Sequence, residues 1–318
     1  MQAFQYTRFK NNKETLLDFL CRRFKYYNSN EWINNIIEGK VRLNGFSVSP
    51  YRVLSSQDEI TYDRPIEEEP IVDPAYDVLY EDEYIIAVSK SGNIPVCESG
   101  RYVLNTLLHV VKAKHGLSEL YAVQRLDKET SGVLVYAKQK SIAINMGKII
   151  SGYEHNKKYH AVLYGKMKDE EIIVDANIGK AGDSSIIRIR QAVRDEGKEA
   201  KTRFRRLFSD GNFTLAEIVT YTGRTHQIRC HAEHLGHPIV GDKMYGKSDD
   251  HFLRLLKQKE IYTTELTGQI DRQLLHSSWL EIPHPFSGER VDFSADYNPH
   301  FSIFPKIAEF LSKYKVST

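Results

Sequence analysis

The stretch AKTRFRRLFSDGNFTLAEIVT (200–220) decides the fold class. It holds two strand-like runs, 200–207 and 213–220, with no room for a helix between them, as expected of neighbouring antiparallel strands. Working outward, strand-like runs recur at 78–80, 84–88, 132–137 and 159–164, and helical stripes fall at Leu104, Leu107, Leu108 and Val111 and over 225–235. Strands so often follow strands directly that an α+β fold is expected, a mixed, largely antiparallel sheet with packed helices, rather than a doubly wound parallel one. The tail repeats Ile303, Phe304, Ile307, Phe310, Leu311 and Tyr314 at helical spacing and reads as a docking helix. Within 200–207, Lys201, Arg203 and Arg205 alternate with Thr202, Phe204 and Arg206, which predicts a strand with one basic face. A solvated face is the ordinary reading. The excess of cations beside Phe204 and Phe208 favours contact with a nucleic-acid backbone.

The 318 residues, 41% hydrophobic and 27% charged, fit two globular domains and exclude disordered, collagenous and membrane classes. No apolar run approaches the roughly 18 residues needed to span a bilayer, and the opening MQAFQYTRFKNNKET has no signal-peptide core, so the cytoplasm is expected. Cys21, Cys97 and Cys230 are too scattered for a disulfide framework and form no CxxC pair; they read as reduced thiols. The net charge of +2 conceals a segregation. Residues 1–57 carry nine Lys and Arg against four Asp and Glu, residues 58–83 one against eleven, and the remainder is net +7. Two basic bodies flank an acidic connector, and basic bodies suit a polyanionic partner. The connector, 65–76, contains Pro65, Pro70 and Pro74 and reads as extended. Domains of 1–64 and 77–318 follow.

In the first domain Leu16, Leu17, Leu20 and Phe24, then Trp32, Ile33, Ile36 and Ile37, predict two short amphipathic helices, the second ended by Gly39. Val41 and Leu43 lead into the hairpin turn Asn44-Gly45, and a run at Ile60 to Tyr62 returns to pair with that ribbon. Arg22, Arg23, Lys25, Lys40 and Arg42 cluster near the helix ends, the pattern of a binder. The segments LLDFL (16–20), WINNIIEGKVRLNG (32–45) and DEITY (58–62) resemble the alpha-L RNA-binding domain of a small-subunit ribosomal protein.

Two segments of the second domain bear chemistry. VQRLDKETSGVLVYAK (123–138) sets Arg125, Asp127, Thr130, Ser131 and Gly132 between apolar runs; composition alone favours an ordinary turn, and Ser131 lacks the GxSxG setting of a nucleophile elbow. YTGRTHQIRCHAEHLGHPIVGD (221–242) places a helix from about Thr225. His226, Cys230 and His234 span two steps of four, a rise of about 12 Å against zinc bonds of about 2.0 to 2.3 Å, so the three share no ion and the histidines read as hydrogen-bonding scaffold.

Six segments in order, VLYEDEYIIAVSKSGNIPV (78–96), QRLDKETSGVLVYAK (124–138), KKYHAVLYGK (157–166), GKEAKTRF (197–204), GRTHQIRCHAEHLGHPIVGD (223–242) and LLHSSWLEIPHPFSGE (274–289), resemble the RluA-type pseudouridine synthases. The sequence departs from that pattern at Gln124, where the family has His, and at Ser89-Lys90-Ser91, where it has Asn-Lys-Pro. The resemblance implies isomerisation of selected uridines in structured RNA, most of all large-subunit ribosomal RNA with transfer RNA as the alternative. It puts the catalytic aspartate at Asp127, the base-flipping arginine at Arg125, the stacking tyrosine at Tyr159, the arginine paired with the aspartate at Arg229 and a pocket residue at Ile228. Arg224, Lys201, Arg203, Arg205, Arg22, Arg23 and Lys40 are the further RNA contacts expected. The implied reaction needs no metal or cofactor, and a monomer without obligatory protein partner or membrane is expected. A non-catalytic RNA-binding or ribosome-associated protein is the rival reading.

Overall fold

Two reciprocal caps set where the chain begins to fold. Thr15 Oγ1 accepts from the Asp18 N–H while the Asp18 carboxylate accepts from the Thr15 N–H, at 3.2 and 3.3 Å, and Asn28 and Glu31 repeat the arrangement. They start α1 (Leu16–Arg23) and α2 (Ser29–Ile37). The computed structural model describes residues 2–5, 14–24, 27–63, 69–152, 155–182, 185, 187, 189–257, 270, 272–296, 301 and 303–313. Lys25, Pro65 and Tyr314 lie outside them. The chain divides into compact units of Met1–Glu69 and Pro70–Thr318.

In the first unit β1 (Gln2–Gln5) precedes the helices, and β2 (Val41–Leu43) and β3 (Glu59–Tyr62) follow them in a sheet of order β1-β3-β2. Gly39, at φ +72, ends α2 as its position predicts. Asn44 and Gly45 both take positive φ, the demand of a type I′ turn, and Leu43 and Phe46 exchange backbone hydrogen bonds across it. That ribbon stops after one bridge, and β3 becomes the partner of β2, with Val41 opposite Tyr62. Trp32, fully buried, centres the core with Leu16, Leu20, Ile36, Ile60 and Tyr62.

The second unit runs β4 (Tyr76–Glu81), β5 (Ile85–Lys90), α3 (Leu107–Lys114), β6 (Tyr121–Ala122), β7 (Ser131–Ala137), α4 (Lys140–Ser151), β8 (Asn156–Tyr164), β9 (Glu171–Asp175), β10 (Ile178–Lys180), β11 (Gln191–Val193), β12 (Lys201–Ser209), β13 (Phe213–Thr220), α5 (Gln227–His234), α6 (Asp249–Lys257), β14 (Leu275–Pro283), β15 (Arg290–Ser294) and α7 (Pro305–Lys313). Its main sheet has the order β4-β5-β7-β14-β8-β13-β12-β9, with β15 beside β14 and β6 beside β7. The fold is thus α+β, and the deciding stretch forms the antiparallel pair β12–β13, Phe204 opposite Ile218. Helices cover both faces. Ile142 and Met146 of α4 pack on Val133, Val135 and Leu280, whereas Leu107 and Val111 of α3 pack on Val88, Leu134 and Tyr136. Ile228 and Ala232 of α5 cover Ala161, Phe204 and Ile218; Phe304, just before α7, and Ile307, within it, cover Val162 and Leu215.

Three expectations are corrected. Leu104 stands outside α3 and is exposed, because Thr106 caps the helix with its hydroxyl. The helix expected from Thr225 begins at Gln227, because His226 takes a left-handed conformation at φ 55. Residues 70–76, read as connector, belong to the second unit: the Ser91 hydroxyl donates to the Asp73 carbonyl at 2.8 Å and the Asn105 amide to the Pro70 carbonyl at 3.1 Å.

The strands β7 and β14 run parallel at the centre of the sheet, with Ser131 beside His276 and Gly132 beside Ser277. Gly132 has φ +102, and a Cβ there would lie 2.1 Å from the Ser277 carbonyl oxygen. Only glycine allows this approach. Gly132→Ala is expected to destabilise the second unit by about 2 to 4 kcal/mol, through backbone strain together with overpacking. Urea unfolding followed by tryptophan fluorescence and circular dichroism checks it.

Candidate active site

Asp127 occupies the turn between β6 and β7, with its carbonyl accepting the Thr130 N–H at 3.1 Å. The turn lacks regular structure, so other groups hold it. The Lys128 carbonyl accepts from the Asn93 and Ile94 amides and from Lys90 Nζ at the end of β5. Lys90 is buried and donates to the carbonyls of Ser91, Ile94 and Lys128, each at 2.8 Å. Burial and the nearby Arg272 pull its pKa well below the ordinary range, against the opposing charges of Asp127 and Glu129. Glu129 accepts from Lys243 Nζ at 2.5 Å and from the Gln273 amide at 3.1 Å. The stretch that follows Asp127 is therefore held at Lys128, Glu129 and Thr130.

Arg229, on the buried side of α5, meets Asp127 from a distant part of the chain. Its Nη1 donates to Asp127 Oδ2 at 2.7 Å. Its Nε and Nη2 fork onto Asp242 at 2.6 and 2.9 Å. Asp242 has no exposed side-chain surface and also accepts the Met244 and Tyr245 amides. A guanidinium clamped by one carboxylate has a fixed position from which to serve the other. The Tyr245 ring covers it at 4.9 Å. Burial opposes the charge on Arg229, but Asp242 and then Asp127 outweigh it and raise its pKa well above the ordinary value.

The Asp127 side chain is 29% exposed, so it is reachable from outside. Burial, the largest single influence, raises its pKa; Arg229, His226 and hydrogen bonds from Arg229 and Gln273 together reverse this and hold the carboxyl below its usual range. The site keeps a desolvated carboxylate ionised. Arg229 occupies Oδ2, and His226 Nε2 stands 3.8 Å from Oδ1.

Tyr159 of β8 lies on the α5 side of the sheet, opposite Ile218 and Ser277. Burial, then the Asp127 charge, push its pKa up to about 12, so it presents an un-ionised ring to the aspartate. Arg125 is exposed and its charge reaches His226, which puts it at the rim. Ile228 is buried in the core beneath α5. Arg224 Nε donates to the Glu199 carbonyl at 2.8 Å.

The strand keeps the one basic face that its alternation predicts. The pleat puts Thr202 and Phe204 on the Tyr159 side and Lys201, Arg203 and Arg205 on the other. There Lys201 pairs with Asp175 at 3.0 Å, Arg203 with Glu171 at 3.4 Å and Glu217 at 3.6 Å, and Arg205 with Glu217 at 3.0 Å. These cations answer acidic neighbours across the sheet rather than facing the aspartate. In the first unit Arg22 is paired with Glu14 and lies over Phe19, Lys40 is paired with Glu38, and Arg23 lies over Phe24. Sequence reasoning missed Asp242 and Lys90 and gave His226 only a scaffold role. Scaffold does describe His231, held between Thr202 Oγ1 and the Ala176 carbonyl, each at 2.9 Å.

This arrangement has relatives. Residues 84–234 match the family model described as RNA pseudouridylate synthase. Ribosomal large subunit pseudouridine synthase D of Vibrio cholerae is 31% identical over 89% of this chain and 85% of its own. The chain belongs to the RNA pseudouridylate synthase family. Among solved structures, human RNA pseudouridylate synthase domain containing 4 superposes with a TM-score of 0.57 at 25% identity, covering 74% of this chain and 92% of that one. Other members of the family are longer: the chain spans 60% of the length of RNA pseudouridine synthase 7 of Arabidopsis thaliana, to which it is 31% identical over 73% of its own residues. The matched residues 84–234 of this pseudouridylate synthase family member include Asp127, Tyr159 and Arg229 but not Asp242, the clamp of that arginine.

Proposed function

We propose that the chain converts uridine to pseudouridine in structured RNA, with Asp127 as the reacting carboxylate. The observation that carries the reading is the 2.7 Å contact that keeps a partly exposed Asp127 ionised through an arginine already clamped by a buried acid. In the isomerisation the bond from ribose C1′ to uracil N1 breaks, the base turns over, and C1′ bonds to C5. C5 gives up a proton and N1 takes one, so the reaction is redox-neutral. Uracil departs as a stabilised anion, which removes the need for the second, acidic carboxyl group of a glycosidase. Asp127 Oδ1, the oxygen not bonded to Arg229, either attacks C1′ or removes a ribose proton.

The base must leave its stack, at a cost of a few kcal/mol. Arg125 at the rim fills the vacated space and the un-ionised Tyr159 ring receives the base. We assign the unit of residues 1–69 to RNA docking as an alpha-L domain, with its exposed Arg23 against phosphate, and we place the reaction in the cytoplasm. Ribosomal RNA of the large subunit is the proposed substrate. Incubating the purified chain with large-subunit ribosomal RNA and, separately, total transfer RNA tests this by carbodiimide mapping of pseudouridine. A new pseudouridine in the ribosomal RNA is expected. Modification confined to transfer RNA overturns the substrate, and none in either overturns the activity.

A further inference from the structure

His226 is held more firmly than a scaffold residue needs to be. It takes a left-handed backbone at φ 55, which costs a residue with a Cβ, and its side chain is only 12% exposed. Its Nδ1 lies 3.0 Å from the Tyr245 hydroxyl, and that oxygen already accepts the Gln191 amide at 2.9 Å. The buried phenol still needs an acceptor for its own proton, and His226 Nδ1 is the acceptor beside it among the described residues. The neutral imidazole then carries its proton on Nε2. Burial lowers its pKa and so favours the neutral ring.

The Nε2–H faces Asp127 Oδ1 at 3.8 Å, too long for a hydrogen bond and short enough for one hydroxyl to reach both groups. Given the proposed reaction at this aspartate, on which this inference rests, three oxygens lie near the reacting C1′. Uracil O2 moves when the base turns over, and a rigidly held donor cannot follow it. The ring oxygen O4′ gains positive charge as the C1′–N1 bond loosens, so an N–H aimed there opposes the reaction. The 2′-hydroxyl remains. It accepts from Nε2–H and donates its own proton to the carboxylate, a contact of the kind that strengthens in glycosyl-transfer transition states.

We propose that His226 hydrogen-bonds the 2′-hydroxyl of the target ribose through Nε2 and is the residue by which the site selects ribose over deoxyribose. The test uses a synthetic RNA stem-loop spanning the mapped large-subunit uridine, with either uridine or a single 2′-deoxyuridine at the target, in single-turnover reactions. His226→Asn is the variant of choice because Asn tolerates the left-handed backbone. The uridine rate is expected to fall about 10- to 100-fold and the deoxyuridine rate to stay within about twofold, so that discrimination collapses. Tyr245→Phe, which releases Nδ1, is expected to weaken discrimination in the same direction with a smaller loss. Equal losses on the two substrates overturn the assignment and leave the proposed reaction standing. Failure of the wild-type chain to convert the uridine stem-loop overturns both.

Discussion

Asp127→Asn is expected to reduce pseudouridine formation by at least about 10⁴-fold, since it removes the carboxylate proposed to react with the sugar. The substitution keeps the size of the side chain and the oxygen that Arg229 Nη1 contacts. Arg229 remains forked on Asp242, so no buried cation is left without a counter-charge. The turn around residue 127 is held by Lys90, Lys243 and Gln273 rather than by the aspartate itself. Thermal unfolding and RNA affinity are therefore expected to stay close to wild type, and single-turnover conversion of the mapped RNA reads the loss. Residual activity within tenfold of wild type removes Asp127 from the chemistry. The same experiment separates an enzyme from a non-catalytic RNA-binding protein, for which wild type and variant bind alike and neither converts uridine.

The pairing of Asp127 with Arg229, 102 positions apart, was legible only through the order of the family segments, because no local pattern links a turn to a helix that distant. Asp242 was hidden for a different reason: a Gly-Asp after an apolar run reads as a turn, and that it clamps Arg229 appears only when the chain returns beside α5. The basic face of β12 was legible from its alternation, whereas the carboxylates of Glu171, Asp175 and Glu217 that pair with it come from neighbouring strands, whose register depends on pairing that the strand itself does not encode. The α4 helix escaped notice although Ile142, Met146 and Ile149 lie on one side of it; its N-cap, Gln139, makes no side-chain cap bond, and Gly147 interrupts its interior. The central strand β14 lost its alternation to the irregularity between Ser277 and Trp279 and to burial on both faces. Where periodicity was local and clean, as in β12, β13, α1 and α2, the elements match it.

Replacing Arg229 is expected to produce two large effects that can be pulled apart. Arg229→Met leaves Asp242 fully buried without its cation, a cost of about 3 to 5 kcal/mol in stability. It also leaves Asp127 with burial, which raises its pKa, and without the guanidinium that lowers it. In the proposed reaction the anion is the reacting form, so the acid limb of the kcat/KM profile is expected to move to higher pH. Linkage gives the matching sign for stability. In the wild-type chain the depressed Asp127 pKa contributes stability above the pKa of the unfolded chain, lost as pH falls through the folded value; in the variant that contribution disappears. Adding Asp242→Asn to Arg229→Met removes the stranded charge while an amide oxygen still accepts the Met244 and Tyr245 amides. The double variant is expected to regain much of the stability and none of the pH profile, because its Asp127 still lacks a cation. An acid limb unchanged in both variants shows that Arg229 does not hold Asp127 ionised.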